Sequence, residues 1–147
     1  LPRDAVKVFL GADHAGFALK EVLEQALEEL GHEAVDLGTH DTERVDYPDY
    51  GHRVAEAVLA HEGSLGVLVC GSGIGISIAA NRHPGVRAAL CHDGYSARMS
   101  RAHNDANVLC MGARVVGEGL ARDVLESFLG GSFEGGRHAD RVAKIDR

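Results

Sequence analysis

Short apolar runs alternate along this chain with longer segments whose apolar residues recur every three or four positions. A short continuous apolar run between turn residues is typical of a strand that is buried on both faces of a sheet. By this criterion, strands are predicted over residues 6–10, 33–37, 65–70, 86–90 and 107–111.

The segments between these runs have helical periodicity. Apolar residues recur at helical spacing from Leu19 to Leu30, and Gly31 is placed to end that helix. The polar residues 38–49 indicate a loop, and a helix is predicted over 54–60. Further helices are predicted over 74–81, through Tyr95, Met99 and His103, from Leu120 to Leu129, and within the glycine-rich tail 130–147.

Strands that alternate with helices predict an α/β fold, in which a five-stranded parallel sheet is covered by helices on both faces. At 147 residues, the chain is predicted to form one domain, 1–147. In such sheets, ligands bind beyond the carboxyl ends of the strands. Four segments follow predicted strands and are expected to gather at that edge: Asp13-His14, Cys70 to Gly75, His92-Asp93 and Gly112 to Arg114.

Charge and composition narrow the classes of partner. The formal net charge of −7 argues against nucleic acids and anionic membranes, so an anionic ligand would have to be held by a local cluster of positive groups. No apolar run approaches the roughly 20 residues that cross a bilayer, and no signal-peptide pattern is found. The three cysteines favour reduced thiols over a disulfide framework, and a cytoplasmic protein is expected.

The loop after the third predicted strand is the most informative stretch. Gly71, Gly73 and Gly75 lead into a helix, and such a loop aims unpaired N–H groups and the positive end of the helix dipole at one point. That point suits an anion, or an oxygen on which negative charge develops. The spacing fits neither a dinucleotide fingerprint, since residue 76 is isoleucine, nor a P-loop, which ends in lysine. A turn needed only for tight packing is the alternative interpretation.

Three side chains are candidates for chemistry, each with a simpler alternative. Cys70 precedes a predicted helix N-terminus, which favours the thiolate, although most strand-end cysteines are inert apolar residues. His103 follows Tyr95 and Met99 at helical spacing, so it is predicted to lie on an inward stripe, where it could act as a general acid or base or simply pack. Asp13 could orient a hydroxyl group or a histidine, or it could cap the next helix.

Arginines are the candidates for anion binding. Arg137 and Arg141 are four residues apart and would share one helix face, where two guanidinium groups suit a phosphate dianion unless they are simply solvated. Arg114 follows the fifth strand at the ligand edge. Nine histidines raise the question of a metal, but no H-x₃-H or C-x₂-C pattern is present, so no metal is expected.

Five motifs are spread along the chain: Gly11-Ala-Asp13-His14-Ala-Gly16, Asp46-Tyr47-Pro48, Cys70-Gly-Ser-Gly-Ile-Gly75-Ile-Ser-Ile-Ala-Ala-Asn81, Ser100-Arg-x-His103-Asn104-Asp105-x-Asn107 and Gly135-Gly-Arg137-His. In type and order they resemble those of the type B ribose-5-phosphate isomerases. These belong to a family of sugar-phosphate isomerases that also includes galactose-6-phosphate and allose-6-phosphate isomerases.

The resemblance implies a Rossmann-like three-layer α/β/α sandwich without a cofactor. It also implies a small-molecule sugar phosphate as substrate, and a homodimer or tetramer with active sites at the subunit interface. The reaction implied is the interconversion of ribose 5-phosphate and ribulose 5-phosphate in the pentose phosphate pathway, through ring opening and a cis-enediolate.

The resemblance also implies roles for single residues. Cys70 matches the base that moves the proton between C1 and C2, His103 matches the residue that opens the sugar ring, and Ser72 supplies a hydroxyl group that could relay a proton. Members without the cysteine carry a glutamate where this chain has Ile76. The positions that match sugar or phosphate binding are Asp13, His14, Tyr47, Gly71, Gly73, Ile74, Gly75, Asn104, Arg114, Arg137 and Arg141.

Two other functions stay open at this point. One is an isomerase of a six-carbon sugar phosphate, which turnover on ribose, allose and galactose phosphates would distinguish. The other is a non-catalytic sensor of sugar phosphates or nucleotides, which would bind tightly without isomerising its ligand. The presence of both Cys70 and His103 argues against the sensor.

Overall fold

A computed structural model describes residues 5–147, so the first four residues of the predicted domain 1–147 lie outside the description. Strands and helices alternate, as the sequence predicts. The strands are β1 (Lys7–Ala12), β2 (Glu33–Asp36), β3 (Leu65–Cys70), β4 (Ala88–Leu90) and β5 (Val108–Gly112). The helices are α1 (Phe17–Glu29), α2 (Tyr47–Ala60), α3 (Ile74–Ala80), α4 (Gly94–Ala102), α5 (Glu118–Gly130) and α6 (Arg137–Ile145).

The strands form one five-stranded sheet in the order β2-β1-β3-β5-β4, and every neighbouring pair is parallel. The predicted α/β fold with a five-stranded parallel sheet is therefore confirmed. Val108, at the start of β5, lies opposite Gly66 of β3 on one side and opposite Ala88 of β4 on the other. Cys70 lies opposite Gly112, at the carboxyl end of both strands.

Two hydrophobic cores lie on the two faces of the sheet, because successive side chains of a strand point to opposite faces. In β3, Val67 belongs to the core with α1, α4 and α5, and Leu68 belongs to the core with α2 and α3. The central strands are buried on both faces, which is why they are apolar without interruption. Among the described helices, none is long and apolar enough to cross a membrane.

Helix α2 begins earlier than predicted. The polar segment 38–49 was expected to be a loop, but α2 starts at Tyr47 and carries Pro48 in its first turn. Proline has no N–H to contribute, and the first N–H groups of a helix have no intrahelical partner, so this position tolerates it. The segment reads as a loop because Asp46 and Pro48 are typical of turns as well as of helix starts.

The prediction that Tyr95 lies on an inward-facing stripe of α4 is wrong. Tyr95 is 66% exposed, whereas Ala97 and Ser100 are buried. The buried face is therefore the one that includes positions 97 and 100, on the opposite side of the helix from Tyr95. Strand β4 is also shorter than predicted, beginning at Ala88 rather than at residue 86.

Candidate functional site

A cavity of about 520 Å³ lies beyond the carboxyl ends of β1 and β3. The chain moves outward from β1 to β2 and then returns to β3 on the other side of β1, so the cavity lies where the strand order reverses, the usual place for a ligand in such sheets. Most of the predicted site residues line this cavity: Asp13, His14, Tyr47, Cys70, Gly71, Ser72, Ile74, Gly75 and Arg114.

The Cys70 thiol lies at the base of the cavity, at the last position of β3. Its residue is only 4% exposed, and its sulfur accepts a hydrogen bond from the Gly73 amide at 3.2 Å. A backbone N–H directed at the sulfur stabilises negative charge there, and the N-terminus of α3 acts in the same direction. The local geometry therefore suits a thiolate that faces a ligand.

The loop from Gly71 to Gly75 needs glycine at particular positions. Gly73 has a φ of 78°, in the left-handed region that favours glycine. A Cβ on Gly71 would lie 2.9 Å from the Arg114 guanidinium group, and a Cβ on Gly75 would collide with the Tyr47 ring. The missing side chains thus let an arginine and a tyrosine lie directly against the loop.

The same loop presents free hydrogen-bond donors to the cavity. Within residues 5–147, the amide groups of Gly71, Ser72 and Gly75 donate to no protein acceptor, whereas the Ile74 amide donates to the Ser72 hydroxyl oxygen at 3.2 Å. Unpaired N–H groups at a helix N-terminus bind anions and stabilise developing oxyanions. The cavity therefore combines a thiol with an anion-binding loop.

Asp13 and His14 each accept a hydrogen bond from a backbone amide through one side-chain atom, and both residues line the cavity. The Asp13 carboxylate is buried and accepts a hydrogen bond from the Gly16 amide at 3.0 Å, in the turn before α1; the N-cap of α1 is Gly16, so Asp13 does not cap the helix. His14 accepts a hydrogen bond from the Val45 amide through Nδ1 at 3.2 Å. In a neutral imidazole this contact places the proton on Nε2.

Among the remaining predicted residues, Gly73 belongs to the loop beside Cys70, and His103 lies in a second cluster. His103, the C-cap of α4, stacks on His138 with ring centroids 4.1 Å apart, and the Nε2 atoms of both rings lie 3.7 Å from Oε1 of Glu134. Arg137 and Arg141 flank this cluster as exposed side chains in the first turns of α6. Asn104 lines a separate cavity of about 640 Å³ together with residues 81–89 and 145–147.

The two groups of residues lie at opposite edges of the sheet. Cys70 is at the carboxyl edge beside Gly112, whereas His103 precedes Val108, where β5 begins at the amino edge. The rise along β5 from Val108 to Gly112 alone is about 13 Å. Within one chain, therefore, the Cys70 sulfur and the His103 imidazole do not share a cavity.

The other two cysteines do not line the Cys70 cavity. Burial raises the pKa of the Cys91 thiol above its ordinary value, and burial raises the pKa of Cys110 further still. Both are free thiols inside the two cores, so they are packing residues, as the sequence suggests.

Three residues at these sites were not identified from the sequence. Ile78 lines the Cys70 cavity although it is 59% exposed, and it stands one helical turn after Ile74. Glu134 and His138 complete the second cluster. Glu134 lies in the non-helical segment before α6, so no helical spacing in the sequence signals its contact with His138.

Comparisons with known proteins identify the family of this chain. A profile of the ribose/galactose isomerase family matches residues 8–145. The chain is 50% identical over 139 residues to ribose-5-phosphate isomerase B of Escherichia coli, covering 95% of this chain and 93% of that protein. It is 45% identical over 141 residues to a putative sugar phosphate isomerase of Bacillus subtilis, covering 95% of each.

Solved structures of ribose-5-phosphate isomerase B also superpose on this chain. Ribose-5-phosphate isomerase B of Clostridium thermocellum superposes with a TM-score of 0.94 at 53% identity, over 96% of this chain and 95% of that one. The enzyme of Mycoplasma genitalium with bound ribulose-5-phosphate superposes with a TM-score of 0.93 at 37% identity, over 99% of this chain and 97% of that one.

Proposed function

The chain belongs to the ribose/galactose isomerase family, and on that premise we propose that it interconverts ribose 5-phosphate and ribulose 5-phosphate without a cofactor. The observation that carries the proposal is the Cys70 thiol at the base of a cavity lined by unpaired loop amides. Relatives named ribose-5-phosphate isomerase B, matched over nearly their whole length, support this substrate.

We assign proton transfer between C1 and C2 to Cys70 and the residues that line its cavity. The thiolate removes the proton from C2 of the open-chain aldose, and the electron pair shifts to give a cis-enediolate. The free amides of Gly71 and Gly75 are placed to stabilise the enediolate oxygen, and losing one such donor typically costs about 3 kcal/mol of barrier. The thiol then returns the proton to C1, while the Ser72 hydroxyl relays a proton between O1 and O2.

Ring opening needs a group that exchanges protons with the ring oxygen and the anomeric hydroxyl, and we assign it to His103. Because this imidazole lies at the other edge of its own sheet, the His103 that serves a given Cys70 must come from a second copy of the chain. The same reasoning brings Asn104 to the sugar from the second copy. We therefore infer a homodimer, or a pair of dimers, with its active sites at the subunit interface.

The phosphate is held by arginines from both copies in this arrangement. Arg114 lies against the Gly71 backbone in the Cys70 cavity, whereas Arg137 and Arg141 belong to the His103 cluster. Anchoring the phosphate fixes the carbon chain over the sulfur, which converts a diffusional encounter into an oriented one. These local positive charges also explain how a chain of net charge −7 would bind a dianion.

Turnover on several phosphorylated aldoses tests the reaction. We expect rapid conversion of ribose 5-phosphate and much slower conversion of allose 6-phosphate and galactose 6-phosphate. Faster turnover of either six-carbon sugar phosphate would mean that this compound, and not ribose 5-phosphate, is the substrate. Tight binding of all three without turnover would mean that the protein is a sensor.

Mixing two inactive variants tests the shared site. Cys70→Ala and His103→Asn each remove a proton-transfer group, and each is expected to lower turnover by about 10²–10⁴-fold. After unfolding and refolding together, half of the dimers carry one site with both groups intact, so about a quarter of the wild-type activity should return. Cys91→Ala mixed with wild type is the control for refolding yield. No recovery would mean that both groups act within one chain.

We also infer a cytoplasmic location, with no nucleic-acid or membrane partner. The three cysteines are free, and none of the described residues forms a disulfide. Reduced thiols are typical of the cytosol.

A further inference from the structure

Two histidines and a glutamate form a compact group at the end of α4 and the start of α6. One ligand atom from each of His103, Glu134 and His138 lies within 4.8 Å of the others. Both Nε2 atoms lie 3.7 Å from the same carboxylate oxygen, and the two rings are stacked at an interplanar angle of 11°. Ring opening by His103 alone would not require the second histidine or the glutamate.

We propose that His103, Glu134 and His138 form a binding site for a divalent transition-metal ion such as Zn²⁺, and that occupation of this site inhibits the enzyme. The inhibition rests on the proposed function, because it requires His103 to act on the sugar ring. The metal binding itself does not depend on any reaction.

The ligand set selects the class of metal. Imidazole nitrogens suit zinc, copper, nickel and iron, whereas calcium and magnesium prefer sites made only of oxygen. Two histidines and one glutamate leave the fourth position of a tetrahedral zinc ion open for water. With metal–ligand distances of about 2.1 Å, tetrahedral ligands stand about 3.4 Å apart. The observed nitrogen–oxygen distances of 3.7 Å need to close by a few tenths of an ångström, and the two stacked rings must also turn so that both lone pairs point at one ion.

The site is held in place by its backbone. The Glu134 amide donates a hydrogen bond to the Ala102 carbonyl at 3.0 Å, which ties this segment to the end of α4. The His138 amide donates to the Gly135 carbonyl at 3.0 Å, and the His138 side chain is buried. These backbone contacts keep the three side chains near one another while the rings turn to ligate a metal.

The charges around the site limit its affinity for a metal. The positive charges of Arg137 and Arg141 oppose a cation, so we expect weaker binding than at a closed structural zinc site.

Occupation would remove His103 from catalysis. A metal on Nε2 takes the lone pair that would accept a proton from the sugar, and the ring no longer turns toward the substrate. Inhibition should be reversed by a chelator.

Titration with Co²⁺, which reports on its ligands through visible absorption, tests the site without any substrate. We expect d–d bands of a nitrogen- and oxygen-ligated ion, with no thiolate-to-cobalt band in the near ultraviolet. Glu134→Gln and His138→Asn should each weaken binding by at least about tenfold, since even outer-shell changes at metal sites cost that much. Circular dichroism of each variant checks its fold.

Two control variants separate this site from other metal-binding groups. His52→Asn disrupts a histidine pair whose nitrogens lie 2.7 Å apart, and Cys70→Ser removes the cavity thiol. Neither should change Co²⁺ affinity. Binding that is lost in either control, and kept in Glu134→Gln and His138→Asn, would overturn the proposal.

The inhibition is measured separately. Zn²⁺ should inhibit wild-type turnover of ribose 5-phosphate at the concentrations that displace Co²⁺, and it should inhibit Glu134→Gln only at concentrations at least about tenfold higher. Inhibition that is equally strong in Glu134→Gln would overturn the inhibitory role. If the wild type isomerises no sugar phosphate, the proposed function fails, and the Co²⁺ titration still decides the metal site.

Discussion

The Cys70 sulfur and the Gly73 amide are joined by a hydrogen bond of 3.2 Å, across a loop that opens into the cavity. Neither of the other two cysteines lines that cavity. Burial raises the pKa of the Cys91 and Cys110 thiols, which disfavours the thiolate that reacts with alkylating reagents.

The first prediction follows from this difference. Iodoacetamide should modify one thiol of the folded protein quickly and all three only in denaturant. The rapid phase should be absent from Cys70→Ser and should persist in Cys91→Ala, as mass spectrometry of timed samples would show. Two rapidly modified thiols in the wild type would contradict the assignment.

The second prediction concerns the turn between β1 and α1. A Cβ on Gly16 would collide with the carbonyl oxygen of Val69, a backbone atom that cannot move aside without shifting β3. Gly16→Ala should therefore lower the free energy of unfolding by about 1–3 kcal/mol. In Gly119→Ala, by contrast, the new Cβ meets nothing within 4 Å and lies in a helix, so stability should rise by about 0.5–1 kcal/mol.

Urea unfolding of both glycine variants provides the measurement. A loss of stability in Gly119→Ala as large as that in Gly16→Ala would show that the collision with β3 is not the cause.

The third prediction concerns a buried charge. The Lys20 side chain has no exposed surface, and its ammonium group lies 2.6 Å from Asp36 and 3.0 Å from Glu21. Asp36→Asn should cost about 3–5 kcal/mol, because it removes the closest partner of a buried charge. In Glu33→Gln, which affects an exposed pair with Lys7 at 3.9 Å, the loss should stay below about 1 kcal/mol.

Chemical unfolding of Asp36→Asn and Glu33→Gln at neutral pH compares the two. Equal losses in both variants would mean that the Lys20 ammonium group is stabilised by something other than Asp36.

The fourth prediction is a dependence of stability on pH. Burial lowers the pKa of His138 in the folded protein, whereas the unfolded chain has the ordinary value of about 6.5. Below that pH the unfolded chain binds a proton that the folded protein does not, so stability falls as pH falls. The effect is absent above the ordinary pKa and levels off below the folded one.

Unfolding curves between about pH 8 and pH 5 measure this effect. The decline should be shallower in His138→Gln than in the wild type. His61→Gln, which alters an exposed residue, is the matched control. A decline that is unchanged in His138→Gln would assign the effect to other histidines.

Much of the fold could be predicted because strands buried on both faces leave uninterrupted apolar runs, and helices between them leave periodic ones. The order of the strands across the sheet could not be predicted, because the spacing of apolar residues along the chain does not show which strands pair with each other. The start of α2 was missed because Pro48 suits a turn and a first helical turn equally.

Some residues of the candidate site could likewise be placed from the sequence, and others could not. Residues at strand ends, such as Cys70 and Arg114, could be placed by topology alone. His103 could not be placed, because helical spacing does not say at which edge of the sheet a helix end lies. The Lys20–Asp36 pair was missed because the partners are far apart in sequence, and a lysine beside Leu19 and Leu23 resembles an exposed position.

The order of the strands also bears on how the polypeptide is made. Among the described strands, β4 has β5 as its only neighbour, although β5 is synthesised later. When a ribosome has released the first ninety or so residues, β1, β2 and β3 can already pair, but Ala88–Leu90 has nothing to join until Val108–Gly112 emerges. The nascent chain therefore carries an unmatched edge for some twenty residues of elongation, and a ribosome that stalls within this window would present an incomplete sheet to chaperones.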